Sequence, residues 1–176
     1  MIKKIFSVIH RELIKKMIYI NTNLYMREYT KYLKKIGLKI NGQPKFISND
    51  VYFDGTNYSL ITIEDNVTIS REVMLLTHDY SITTAYASIG KKIKRGEGEI
   101  FFLKGIKIGK NCFVGARSSI LLGSEIGDNT IIGAGTVIKG KVPENSVVIG
   151  NPWKIIGKTD EYANRHEQLE DFLIER

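Results

Sequence analysis

From Ile108 onward, every sixth residue is a β-branched aliphatic: Ile108, Val114, Ile120, Ile126, Ile132 and Ile138. Four residues after each of the first five stands something small, namely Cys112, Ser118, Ser124, Thr130 and Thr136. The third residue after each aliphatic is Asn111, Arg117, Gly123, Asn129, Gly135 and Lys141, and Asn and Gly best tolerate the left-handed backbone angles of a corner. Neither a helix nor an isolated strand has a period of six. Short strands joined by tight corners do, if each sends its aliphatic and its small residue inward. Three such faces make an eighteen-residue coil, and coils stack about 4.8 Å apart as neighbouring parallel strands do. The upstream stretch Ile61–Leu75 carries the same rhythm through Ile63, Val67, Ile69, Val73 and Leu75. Four to five coils are expected, each stable only when its neighbours cover it. Before Ile61 the phase is uncertain, because Asn57 would fall in an aliphatic slot.

The flanks read differently. Ile2, Ile5, Phe6, Ile9, Leu13 and Met17 recur at helical spacing, and a second helix is expected over about 22–36, ending near Gly37. Residues 1–40 form a helical segment, 41–157 the repeat domain, and 158–176 a terminal helix with Thr159 as N-cap and Tyr162, Leu169, Phe172 and Leu173 along it.

Charge and composition add limits. The net charge of +7 sits wholly in the first segment, where residues 1–40 hold ten Lys/Arg against two Glu, while 41–176 hold sixteen against seventeen acids. That is read as a solvated basic face, with no nucleic-acid partner. The single cysteine excludes an internal disulfide framework. No run of about eighteen apolar residues could span a bilayer, and Arg11, Glu12, Lys15 and Lys16 interrupt any apolar leader. A cytoplasmic location is expected.

The repeat breaks once. After LLTHDYS the rhythm stops, and a segment from about 80 to 104 leaves the prism. Leu75 is an inward position, so His78 falls three later, on a corner, and points out of the core. Imidazole is the side chain best suited to take a proton near neutral pH, and a sheltering loop beside it is the setting that hydroxyl acylation requires. Cys112 would be the nucleophile of a covalent acyl-enzyme, but its inward phase makes it a buried structural thiol. His10 and His166 lie outside the repeats.

The stretches ITIEDNVTIS, LLTHDYS, KIGKNCFVGARSSIL, EIGDNTIIGAGTVI and VPENSVVIGNPWKII resemble the hexapeptide-repeat acyltransferases, over roughly residues 47–157. The branch they most resemble holds the galactoside and maltose O-acetyltransferases and those acting on surface polysaccharides. The resemblance implies a mainly β fold, a left-handed parallel β-helix, and acetyl-CoA as co-substrate with no metal. It implies a homotrimer with sites between subunits, a sugar acceptor, and His78 as the base. Asp54 lies one coil and one face before His78 by this count, so it would join His78 only from a neighbouring chain, as would Asn57. Asp79, pointing away from His78, would border the acceptor. For coenzyme A the resemblance implies Phe113, where many relatives carry tryptophan, with Gly115, Ala116 and Ala134 against the pantetheine arm. Lys139 and Lys154 would lie near the phosphates. N-acetylation of an amino-nucleotide sugar, or a non-catalytic β-helix used for assembly, are the competing readings.

Overall fold

The computed structural model describes residues 2–94 and 96–167. The sixfold period folds as expected into a three-sided parallel prism. Its first face stacks Ile40, Ile63, Ile108, Ile126 and Val142. The second stacks Ile47, Ile69, Val114, Ile132 and Val148, and the third Phe53, Leu75, Ile120 and Ile138. From Ile47 to Val148 the aliphatic columns are fully buried or nearly so, Phe53 alone being half-buried. The small inward residues serve the same core. Ser118, Ser124, Thr130 and Thr136 have no exposed surface, and each gives its hydroxyl to a backbone carbonyl, as Ser118 Oγ does to Gly133 O at 3.1 Å. A buried hydroxyl without such a partner would be costly.

Corners carry the left-handed residues anticipated. Asn66, Asn111, Asn129 and Asn145 have φ of 54–56° and form a ladder, each of the first three donating its side-chain amide to the next at 2.9–3.0 Å. Arg117 also takes φ 62°, held there by an ion pair to Glu72 at 2.7 Å. Lys141 does not: the final coil is shorter, Gly140 makes the turn at φ 90°, and Lys141 lies in a strand with its Nζ 2.9 Å from Glu125.

Helix α2 (Thr22–Ile36) starts on Asn21, whose side chain accepts from Leu24 N, and stops at left-handed Gly37. It covers the open start of the prism: Tyr25 donates its hydroxyl to Ile47 O at 2.7 Å, and Met26, Tyr29 and Leu33 are buried against the first coil. Covering that edge removes an otherwise unpaired strand end. Helix α1 (Ile2–Lys16) corrects the sequence reading of its apolar stripe. Ile14 is its buried anchor at 3% exposure, whereas Ile9 and Leu13 are exposed at 50% and 57%. The side chains of Ile2, Ile5 and Phe6 are outside the described ones. At the far end, strands Ser146–Gly150 and Trp153–Lys158 form an antiparallel hairpin leading into α3 (Thr159–His166 in this count is the last helix and is called the terminal helix below). Thr159 is its first turn and not its cap, because the Thr159 hydroxyl donates to Asn129 O at 2.6 Å. Leu169, Phe172 and Leu173 lie outside the described residues. No helix among the described residues is long and apolar enough to cross a membrane.

Candidate active site

The first coil is not eighteen residues long. Phe53 pairs with Leu75 and Ile47 with Ile69, a step of 22. The surplus is a turn of 3₁₀ helix, Tyr58–Leu60, capped by Asn57, whose Oδ1 accepts from Ser59 N at 3.0 Å. The extra residues shift Asp54 into the column of His78. The expectation that Asp54 could meet His78 only from another chain is therefore corrected: the two side chains meet within one chain, His78 Nδ1 on Asp54 Oδ2. Asn57, expected beside the acceptor, spends its carbonyl oxygen on Ser59.

Asp54 is 1% exposed. A buried carboxylate must be satisfied by hydrogen bonds, and this one is heavily supplied. Oδ1 accepts from Thr56 N at 3.1 Å and Thr56 Oγ1 at 3.0 Å. Oδ2 accepts from Thr77 N at 2.9 Å, Thr77 Oγ1 at 2.8 Å and His78 N at 3.1 Å, besides His78 Nδ1. Burial alone would raise the carboxyl pKa, but the hydrogen bonds from Thr77 and His78 outweigh it and hold it down at about 2. Asp54 is thus ionised at neutral pH. An ionised acceptor at Nδ1 fixes the proton there and leaves Nε2 as the free base nitrogen. Thr56 and Thr77 were not foreseen, because the inserted turn hides the alignment of Asp54 with them.

The interruption starts at His78 itself. Strand His78–Asp79 leaves the prism and strand Phe102–Leu103 returns, paired antiparallel with His78 opposite Leu103 and Asp79 opposite Phe102. Between them runs a helix, Ser81–Ser88. Alternation along the ribbon sends His78 and Asp79 to opposite faces. Tyr80 and Phe101 stand on the His78 side, with ring centroids 5.2 Å and 6.3 Å from the imidazole, both edge-on. Asp79 lines a groove of about 540 Å³ with Ser81, Phe102, Lys104, Leu122 and Lys139. Its carboxyl is held below the usual carboxylate range, first by the Ser81 amide at 2.7 Å, with Lys139 contributing.

The other expected residues divide between corners. Lys139 follows Ile138 on the corner of His78. Gly115, Ala116 and Ala134 occupy the opposite corner of the third face, where backbones lie so close that a Cβ on Gly115 would be 2.5 Å from Ala134 N. Phe113 is 42% exposed on the second face, and Lys154 lies in the closing hairpin opposite Ile149. One chain does not bring these together with His78. Cys112 is buried, donates to Gly127 O at 3.1 Å, and burial pushes its thiol up to about 11.

Residues 105–139 match the family model described as the hexapeptide repeat of succinyl-transferase. The galactoside O-acetyltransferase of Escherichia coli K12 is 30% identical over 119 residues, 68% of this chain and 57% of that enzyme. The chain belongs to the hexapeptide-repeat acyltransferase family. The matched region spans a little under three-fifths of that curated relative's length. A maltose O-acetyltransferase from Clostridium difficile 630 superposes with a TM-score of 0.51 at 25% identity, covering 87% of this chain and 88% of that one. A galactoside acetyltransferase solved with coenzyme A superposes at 0.56 and 19% identity, over 97% of this chain and 88% of that one. The prism is the left-handed parallel β-helix of this family.

Proposed function

We propose that this family member is an acetyl-CoA-dependent O-acetyltransferase acting on a sugar hydroxyl, with a role in surface-polysaccharide synthesis, and that His78 is its general base. The observation that carries the reading is the buried, ionised Asp54 on Nδ1, which leaves Nε2 unprotonated and turned toward the ribbon's aromatic side. Nε2 takes the proton of the acceptor hydroxyl as its oxygen attacks the thioester carbonyl, so that the new C–O bond forms without a free alkoxide. The tetrahedral intermediate then collapses, the C–S bond breaks, and the departing thiolate recovers the proton from the imidazolium. Direct transfer fits the state of Cys112, whose buried neutral thiol is a poor nucleophile.

The acyl donor belongs along the later coils. Leu122, Lys139 and the groove they line suit an extended arm with an anionic end, and Gly115, Ala116 and Ala134 offer backbone for close approach. In this reading the corner with Gly115 and Ala134 serves the His78 corner of an adjoining subunit, which accounts for their separation in one chain and makes the enzyme a homotrimer. Phe113 and Lys154 complete the donor site. The test is release of free thiol from acetyl-CoA against galactosides, maltose and amino-nucleotide sugars. Wild type is expected to turn over a hydroxyl acceptor, and His78→Ala to lose about 10²–10⁴-fold of that rate. An unchanged rate in His78→Ala would refute the base assignment, and turnover of amines alone would refute O-acetylation.

A further inference from the structure

The Asp54 carboxylate has two threonine hydroxyls on it, and they are not equivalent. Thr56 is exposed, sits on Oδ1, and could be replaced there by water. Thr77 has no exposed surface and gives both its amide and its hydroxyl to Oδ2, the same oxygen that receives the imidazole. No water can reach that point, so a lost hydroxyl there would be uncompensated. Thr77 is fixed from its other side too, because its carbonyl accepts from Lys104 N at 3.0 Å where the excursion returns. Thr56 Oγ1 lies 3.1 Å from His78 Nδ1, but its single proton goes to Oδ1, so it does not set the imidazole tautomer.

We propose that Thr77 is a positioning residue of the Asp54–His78 pair, its buried hydroxyl locking the carboxylate so that Oδ2 holds the Nδ1 proton and keeps Nε2 free. The inference rests on the reading of His78 as base and adds a part to it. Without the hydroxyl the carboxylate loses one of its fixed donors, its acidity falls, and its grip on one imidazole tautomer loosens. Thr77 touches neither acceptor nor donor, so binding of both should be left as it is.

Thr77→Val keeps the shape and removes the donor. The chain has three histidines, so ¹⁵N-labelled histidine gives a simple spectrum in which the tautomer of His78 can be read directly. The expected result is a His78 signal shifted from the pure Nδ1–H form toward a mixture, an upward-shifted Asp54 carboxyl titration, and a fall in kcat of about tenfold with KM for acetyl-CoA unchanged. Thr77→Ser should restore all three. A wild-type His78 signal in Thr77→Val, or a serine variant as impaired as the valine one, would overturn the proposal. Should Thr77→Val fail to fold, Thr77→Ala carries the same expectations, and loss of folding in both would mean that the hydroxyl is structural and the proposal wrong. The base reading is separated by a His78→Ala background: full activity there sinks the base, whereas a necessary His78 with a harmless Thr77→Val sinks only the positioning role.

Discussion

Asp54 and His78 are 24 residues apart in sequence and one coil apart in space, joined through Oδ2 and Nδ1. The turn Tyr58–Leu60 makes this possible by lengthening the first coil until Asp54 lies beneath His78. Asp54→Asn preserves size but removes the charge, and its amide can present N–H where the imidazole needs an acceptor. Turnover should fall by about 10²-fold or more, while coenzyme A binding, followed by calorimetry, stays near wild type. Equal turnover in steady-state kinetics would show that the carboxylate is structural.

The same carboxyl should leave a signature in stability against pH. Its folded pKa of about 2 lies below the unfolded carboxylate value. A lowered folded pKa stabilises the native state above the unfolded pKa of about 4, and that contribution is lost as pH falls from about 4 toward 2. Its size is about 2 kcal/mol. Urea unfolding of wild type and Asp54→Asn should therefore differ in slope against pH across this window. Parallel curves would contradict the ionised state of Asp54.

The prism was legible because its evidence is repeated: six aliphatics on one phase cannot be satisfied by a helix. His78 was legible for the complementary reason, since it stands where repetition ends. Asp54 was noticed but misplaced, because an eighteen-residue count cannot register a 3₁₀ turn that adds four residues to one coil. Thr77 escaped notice altogether: a lone threonine has no pattern, and its role depends on which coil lies below it. The stripe through Ile9 and Leu13 was read as inward because periodicity names a face without naming what covers it.

Cys112 should be silent toward thiol reagents in the native protein. It is 2% exposed, hydrogen-bonded to Gly127 O, and its thiol is raised to about 11 mainly by burial, so little reactive thiolate exists at pH 8. Labelling with a chromogenic disulfide should proceed only on unfolding, and Cys112→Ser should retain acetyl transfer. Rapid native labelling would contradict the buried placement, and an inactive, folded serine variant would revive a covalent route.

The asparagine ladder separates two contributions to the corners. Asn129 has φ 56°, accepts from Asn111 at 3.0 Å and donates to Asn145 at 2.9 Å. Asn129→Gly keeps the left-handed backbone at ease and deletes the side-chain bonds, so it reports the ladder alone, about 1 kcal/mol. Asn129→Ala deletes the same bonds and adds the strain of a Cβ in that region, for a total of about 2–3 kcal/mol. Chemical denaturation should therefore rank wild type above the glycine variant and the glycine variant above the alanine one. Equal losses would show that the corner imposes no strain, since the ladder is absent from both. A glycine variant as stable as wild type would instead mean that the stacked amides contribute nothing beyond their tolerance of the left-handed turn, and that the corner is held by backbone pairing between coils alone.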